Sequence, residues 1–171
     1  MQRLILLFFV LLIVTSLVGC FNPIDKEPDI TGYVVEKSND NILVVSETSE
    51  DLRENGGVAE FYEMIWFSNS SNEINLGDKV DIWYNSVNQS YPAKATIKTF
   101  NIHEPDQPDD ALLTESEVLE QVLSNLDIQP DQLFAIQSIQ FNKSKQIWLI
   151  NLMEIWTEEI LTIKFPETNQ P

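Results

Sequence analysis

The chain has one cysteine, one histidine and ten basic residues among 171. A single cysteine excludes an internal disulfide, so stability must come from the packed core. A lone histidine, His103, would need carboxylates beside it to hold zinc. It is also the only histidine that a serine-type triad could use, and no Gly-x-Ser-x-Gly elbow accompanies it. Against ten Lys and Arg stand 27 Asp and Glu, for a net charge of −17. That balance repels nucleic acid and anionic lipid headgroups.

What is present begins with a leader. Met1-Gln2-Arg3 is a short positive start, and Leu4 to Val14 has no polar side chain. Thr15, Ser16 and Gly19 are small or turn-forming, as in a secretory signal. As a helix, residues 4–19 would span about 24 Å, short of the roughly 30 Å of a bilayer core. The run Leu17-Val18-Gly19-Cys20 resembles the lipobox of bacterial lipoprotein precursors. The resemblance implies cleavage after Gly19, a diacylglyceryl group on the Cys20 sulfur, and often a further acyl chain on its amine. Two chains meet the usual requirement for stable anchoring. Loss of Arg3 takes the net charge from −17 to −18.

Phe21 to Asp29, with Pro23 and Pro28, reads as a tether. From Ile30 the pattern alternates. Strands are predicted over Ile30 to Glu36, Ile42 to Val45, Phe61 to Phe67, Val80 to Tyr84 and Ala95 to Ile102. Five short strands in about 70 residues suggest a small closed barrel, which removes open edges. An OB-like barrel over 30–103 is the expected form. His103 to Asp110 is acidic and contains two prolines, and residues 104–113 read as a linker. Thr114-Glu115-Ser116-Glu117 matches a capping box. Val118, Leu119, Val122, Leu123 and Leu126 then follow at helical spacing. Pro130, within Asp127 to Asp131, ends the helix. Three further strands are predicted over Phe134 to Phe141, Gln146 to Trp156 and Ile160 to Phe165. The expected fold is mainly β with an α+β part: a five-stranded OB-like barrel, then a helix with a three-stranded antiparallel sheet over 114–166 and a tail over 167–171. A core of that second unit alone is marginal, so it should pack against the barrel or another protein.

Ile30-Thr31-Gly32-Tyr33-Val34-Val35, Ile65-Trp66-Phe67-Ser68, Gly77-Asp78-Lys79-Val80-Asp81-Ile82-Trp83-Tyr84 and Ser90-Tyr91-Pro92-Ala93-Lys94-Ala95 carry a resemblance. Over Ile30 to Ile102 the chain is similar to the YobA-like family of small lipoproteins from Bacillus-type bacteria. The resemblance implies an extracytoplasmic β-rich domain and assigns no catalytic residues. The later helix-then-strands order resembles peptidase-associated PepSY or cystatin-like units.

Three groups of residues could carry chemistry. Asp106, Asp109, Asp110, Glu115 and Glu117 are oxygen donors of the kind calcium takes, but their spacing lacks the EF-hand pattern and its glycine. A solvated acidic linker is the expected role, with no metal or other cofactor. His103 reads as a solvated strand-end residue. Tyr33, Trp66, Trp83, Tyr84 and Tyr91 could line one barrel face for a protein or glycan, or else pack in the core. Alternation puts Tyr62 and Trp66 on one face of their strand, and Ile65 and Phe67 on the other. The three Asn-x-Ser matches, at Asn69, Asn88 and Asn142, read as chance.

The expected function is a non-enzymatic, lipid-anchored envelope protein on the outer face of the cell membrane. It binds an unknown envelope protein or glycan, not nucleic acid. The alternatives are a carboxylate-based hydrolase and a peptidase inhibitor or regulator built on the second unit. A fatty-acid analogue fed to cells should label the chain at Cys20; label retained on Cys20→Ser would refute the anchor.

Overall fold

In the computed structural model, residues 26–127, 129 and 132–167 are described. The leader, Cys20 and most of the tether lie outside them, as do Ile128, Pro130, Asp131 and the tail beyond Glu167. Five strands form a closed barrel: β1 (Ile30–Ser38), β2 (Asn41–Ser46), β3 (Met64–Ser68), β4 (Lys79–Asn88) and β5 (Ala93–Ile102). Their order around the barrel is β1-β2-β3-β5-β4. All neighbours are antiparallel except β3 and β5. The one α-helix among the described residues, α1 (Glu115–Asn125), follows. A separate antiparallel sheet completes the chain in the order β6 (Phe134–Asn142), β7 (Ile147–Glu154) and β8 (Ile160–Pro166). The predicted OB-like barrel, helix and three-stranded sheet are all present.

β1 closes the barrel by pairing with β2 on one side and β4 on the other. Its curvature depends on Gly32, where an added Cβ would lie 2.0 Å from the Val45 carbonyl oxygen. A bulge between Val34 and Glu36 then resets its register against β2. The bulge follows the turning of Val34 into the barrel, while Tyr33 and Val35 belong to the packing layer outside it.

Two element boundaries, the start of β3 and the end of β4, differ most from the pattern reading. Phe61 is not in β3; it forms an isolated bridge with Glu50. The hydroxyl of Ser46 accepts from Glu63 N, at 3.0 Å, just before β3 begins. β4 runs on to Asn88, because Val87 and Asn88 still pair with Ala95 and Lys94. Backbone pairing, which needs no apolar alternation, extends that strand.

The molecule has two apolar layers. Ile30, Val34, Ile42, Val44, Ile65, Phe67, Val80 and Ile82 fill the barrel. The second layer joins the outer barrel face to the rest of the chain. Tyr33, Val35, Leu43, Val45, Tyr62 and Met64 meet Val118, Leu119, Val122 and Leu123 of α1, and Trp148, Ile150 and Leu152 of β7. The capping box forms as the sequence implies: Glu117 N donates to Thr114 Oγ1 and Thr114 N donates to Glu117 Oε2. Gly77 lets the helix come close. Its φ is +85°, and an added Cβ would lie 2.6 Å from Ser116 O and 2.7 Å from Glu120 N.

The stretch between barrel and helix is laid down by specific bonds. Asp106 O accepts from Glu115 N at 2.8 Å. Glu167, only 7% exposed, accepts from Leu112 N, Leu113 N and the Trp148 indole at 2.9, 3.0 and 2.7 Å. Burial pushes its carboxyl up, but the three donors outweigh that and hold it below the ordinary glutamate range. The ionised form therefore stabilises the fold above the ordinary glutamate value, and that stability is lost as pH falls through the lower folded value. Glu167→Ala should cost about 2–3 kcal/mol at neutral pH, because the buried Trp148 indole and two part-buried amides lose their partner. Urea unfolding checks this, and the gap from wild type should narrow on acidification below the ordinary glutamate range.

Candidate ligand trough

The aromatic residues singled out by sequence do not share one face. Tyr33 is buried between barrel and helix, and its hydroxyl donates to Glu115 Oε1 at 2.6 Å. Burial, reinforced by that carboxylate, pushes the Tyr33 phenol far up; burial also raises Glu115. Lys79 Nζ stands 6.0 Å from the Tyr33 ring centroid and pairs with Glu47 at 2.5 Å. Trp83 is buried, and its indole donates to Lys26 O at 2.8 Å. Tyr84 packs beside Phe67 with ring centroids 5.6 Å apart, and its N–H donates to Asp29 Oδ2 at 2.9 Å. Residues 26–29 are thus fastened to β4. Trp66 lines two adjoining open hollows. The division read from alternation holds, with Trp66 of β3 and Tyr62 just before it in the outer layer, and Ile65 and Phe67 inside.

Trp66 lies in a trough along the seam between barrel and sheet. At the barrel end, Glu36, Ser38, Asn41, Trp66, Ser68 and Lys94 line a hollow of about 480 Å³. It opens beside a second hollow of about 690 Å³, through shared walls at Glu36 and Trp66. That middle part is bounded by Val35, Leu76 and Pro92 of the barrel segment, by Leu123 of α1, and by Trp156. Trp156, Gln129 and Gln132 also line a third hollow of about 480 Å³, which reaches Ile160 and Leu161 of β8.

The local chain explains why Trp156 stands there. Glu154 Oε2 accepts from Trp156 N, Thr157 N and Thr157 Oγ1, at 3.0, 2.7 and 2.7 Å. That buried carboxylate turns the chain sharply after β7. The Trp156 ring then meets Tyr91 edge-on, with centroids 5.7 Å apart. Tyr91 is fixed in turn, since its hydroxyl donates to Tyr62 O at 2.9 Å. The sequence showed Trp156 only as the end of a strand. Its role in the seam depends on a contact with Tyr91, far away in the chain.

The polar candidates are dispersed. His103 Nε2 lies 2.9 Å from Asp81 Oδ1, at an angle outside hydrogen-bond geometry, so the contact is an ion pair when the imidazole is protonated. Thr31 Oγ1 donates to the same carboxylate. Burial raises the Asp81 carboxyl, but His103, Thr31 and Asn101 together bring it below the ordinary range. Asp110 pairs with Lys143, and Glu115 and Glu117 are held by Tyr33 and the helix cap. Among the described residues, no three His, Cys, Asp or Glu side chains are grouped to hold a metal ion. Burial raises Glu36, Glu63, Asp78 and Glu115, and of these only Glu36 lines the trough.

Known proteins match the barrel half. Residues 31–104 match the family described as "Protein of unknown function (DUF3221)". The Uncharacterized protein YobA of Bacillus subtilis (strain 168) is 24% identical over 113 residues, covering 56% of this chain and 93% of that protein. No solved structure matches. The segment of α1 and β6–β8 lies beyond the family match, so the trough is built from both parts.

OB barrels commonly use the outer face of strands 2 and 3, between the 1–2 and 4–5 loops. Here Leu43, Val45 and Met64 on that face are already covered by the chain itself. Asn41, Trp66, Ser68 and Lys94 remain as its open end. Oxidation by N-bromosuccinimide should follow this geometry. Trp156 (56% exposed) should react first and half-buried Trp66 next, with Trp83 and Trp148 protected until unfolding. Peptide mapping of the oxidised sites checks the order.

Proposed function

We propose that this is an extracytoplasmic binding protein without catalytic chemistry, held at the membrane by lipid on Cys20, whose ligand lies in the trough. The observation that carries the reading is the continuity of three hollows along one seam, with Trp66 and Trp156 in their shared walls. Binding sites are concave, largely preformed and lined by aromatic and apolar groups with a few polar ones. The trough has that make-up. Its walls are set by the buried layer that joins barrel, helix and sheet, so little ordering is left for a partner to induce.

The anchor reading is supported by the residues of the leader and by the charge. A net charge of −17 keeps the globular part away from anionic headgroups and nucleic acid. It suits a domain that is displayed rather than embedded. No described helix is long and apolar enough to cross a membrane. The YobA-like half carries no activity in the name of its relative, so the reading rests on this chain's own surface.

The reading can be tested in cells with the full chain carrying a photo-crosslinking side chain in place of Ser68, Gln132 or, as an exposed control off the trough, Val58. The two trough positions should give the same discrete adduct, and Val58 none. Adducts that are equally abundant at all three positions would refute the trough.

A further inference from the structure

We propose that the outer edge of β8 is a docking strand, which takes an extended, basic polypeptide segment bearing apolar side chains as a fourth strand of the β6-β7-β8 sheet. The proposal rests on the binding reading above and gives its partner a class and a mode.

The sheet order makes β8 an edge, and among the described residues no strand pairs with its outer side. The opposite edge differs. β6 packs toward β1 and β2, and its bulged Gln137 donates to Glu60 in the barrel segment. Burial follows this asymmetry. Five of the seven residues of β8 are exposed, all but Ile163 and Phe165, whereas β6 and β7 carry most of the buried positions. An unpaired strand presents a row of backbone donors and acceptors that another extended chain can satisfy.

The side chains beside this edge are unusual for a free surface. Six large hydrophobic residues are notably exposed in the described chain, and three of them, Trp156, Ile160 and Leu161, adjoin the start of β8. They line one hollow together with Phe134. The barrel has solved the same problem by closing, and it leaves no such edge. An added strand would place alternate side chains over Leu161 and Ile163, with the hollow receiving one of them.

Charge selects the occupant. Glu158 and Glu159, both exposed, precede β8, against Lys164 as the one cation within the strand. A basic segment is attracted by this surround. A second copy of the chain brings another −17 of net charge to the same place. Lys164 within the strand and Pro166 at its end are residues of the kind that discourage self-pairing.

The test uses the full chain, isotope-labelled, in detergent micelles, with three synthetic probes. The first is Lys-Val-Lys-Val-Lys-Val. The second has Glu for Lys. The third is the Lys peptide with alternate residues N-methylated, which removes the backbone donors of one edge. The first should shift the amides of β8 and bind at least about tenfold more tightly than either other probe. Leu161→Lys, checked for an otherwise unchanged spectrum, should weaken it by a similar factor. Equal binding of the N-methylated peptide, or shifts that avoid β8, would overturn the proposal. So would concentration-dependent changes at β8 without peptide, which would make a second copy the occupant. If crosslinking in the trough succeeds while every peptide fails, strand addition falls and the binding reading stands. If both fail, the reading beneath it falls too.

Discussion

The structure depends on one apolar layer, the outer face of β1, β2 and β3 against α1 and β7. A closed barrel of five strands has an interior that satisfies itself, here through Ile42, Ile65, Phe67 and their neighbours. Its outer face should then be polar. Instead Val35, Leu43, Val45 and Met64 point outward and are buried. Neither half can present that face to water without exposing a large apolar area. Barrel and sheet are therefore obliged to each other, and Gly77 is the place where backbone touches backbone to permit it. Tyr33 and Glu115 add a bond across the same boundary, and Glu167 ties the intervening chain to Trp148.

The trough follows from that union. It is the margin of the shared layer, where the covering elements stop short of the last residues of β3. Trp66 is uncovered because the apolar packing ends beside it, and Trp156 is held over the margin by Tyr91. This changes the meaning of the fold resemblance. A barrel of this order would offer its β2–β3 face to a ligand. In this chain that face has been given mainly to its own second part, and the open surface lies at the seam. The family match ends at residue 104, so a relative limited to the barrel would lack the Trp156 wall.

Local signals were legible in the sequence and distant ones were not. The capping box at Thr114 and Glu117 is a four-residue pattern and forms as read. Alternation correctly divided Tyr62 and Trp66 from Ile65 and Phe67, since a strand's period decides its two faces. The barrel was readable from five such runs. What alternation cannot tell is which side of a closed barrel is inside, nor what covers the other. Tyr33 was an aromatic candidate for ligand contact, and only a residue 82 positions away shows that its hydroxyl is already engaged. Glu167 looked like the start of a tail, yet its partners at Leu112 and Leu113 lie 55 and 54 positions back. Buried acceptors of this kind leave no periodic trace.

The anchor and the site also constrain each other. Lys26 is bonded to Trp83 and Asp29 to Tyr84, so the chain is already fastened to β4 before β1 begins. On the lipid-anchored reading, six steps separate Cys20 from that point, a reach of at most about 21 Å. β1 starts close to this attachment and runs eight steps to Ser38, a rise of about 26 Å. The barrel end of the trough, at Ser38, Asn41 and Trp66, is thus at the far end of the strand from the entry point. On the proposed anchor, attachment near the start of β1 would leave its opposite end as the one presented outward. On the proposed anchor at Cys20, a ligand would reach this end of the seam from the side away from the membrane.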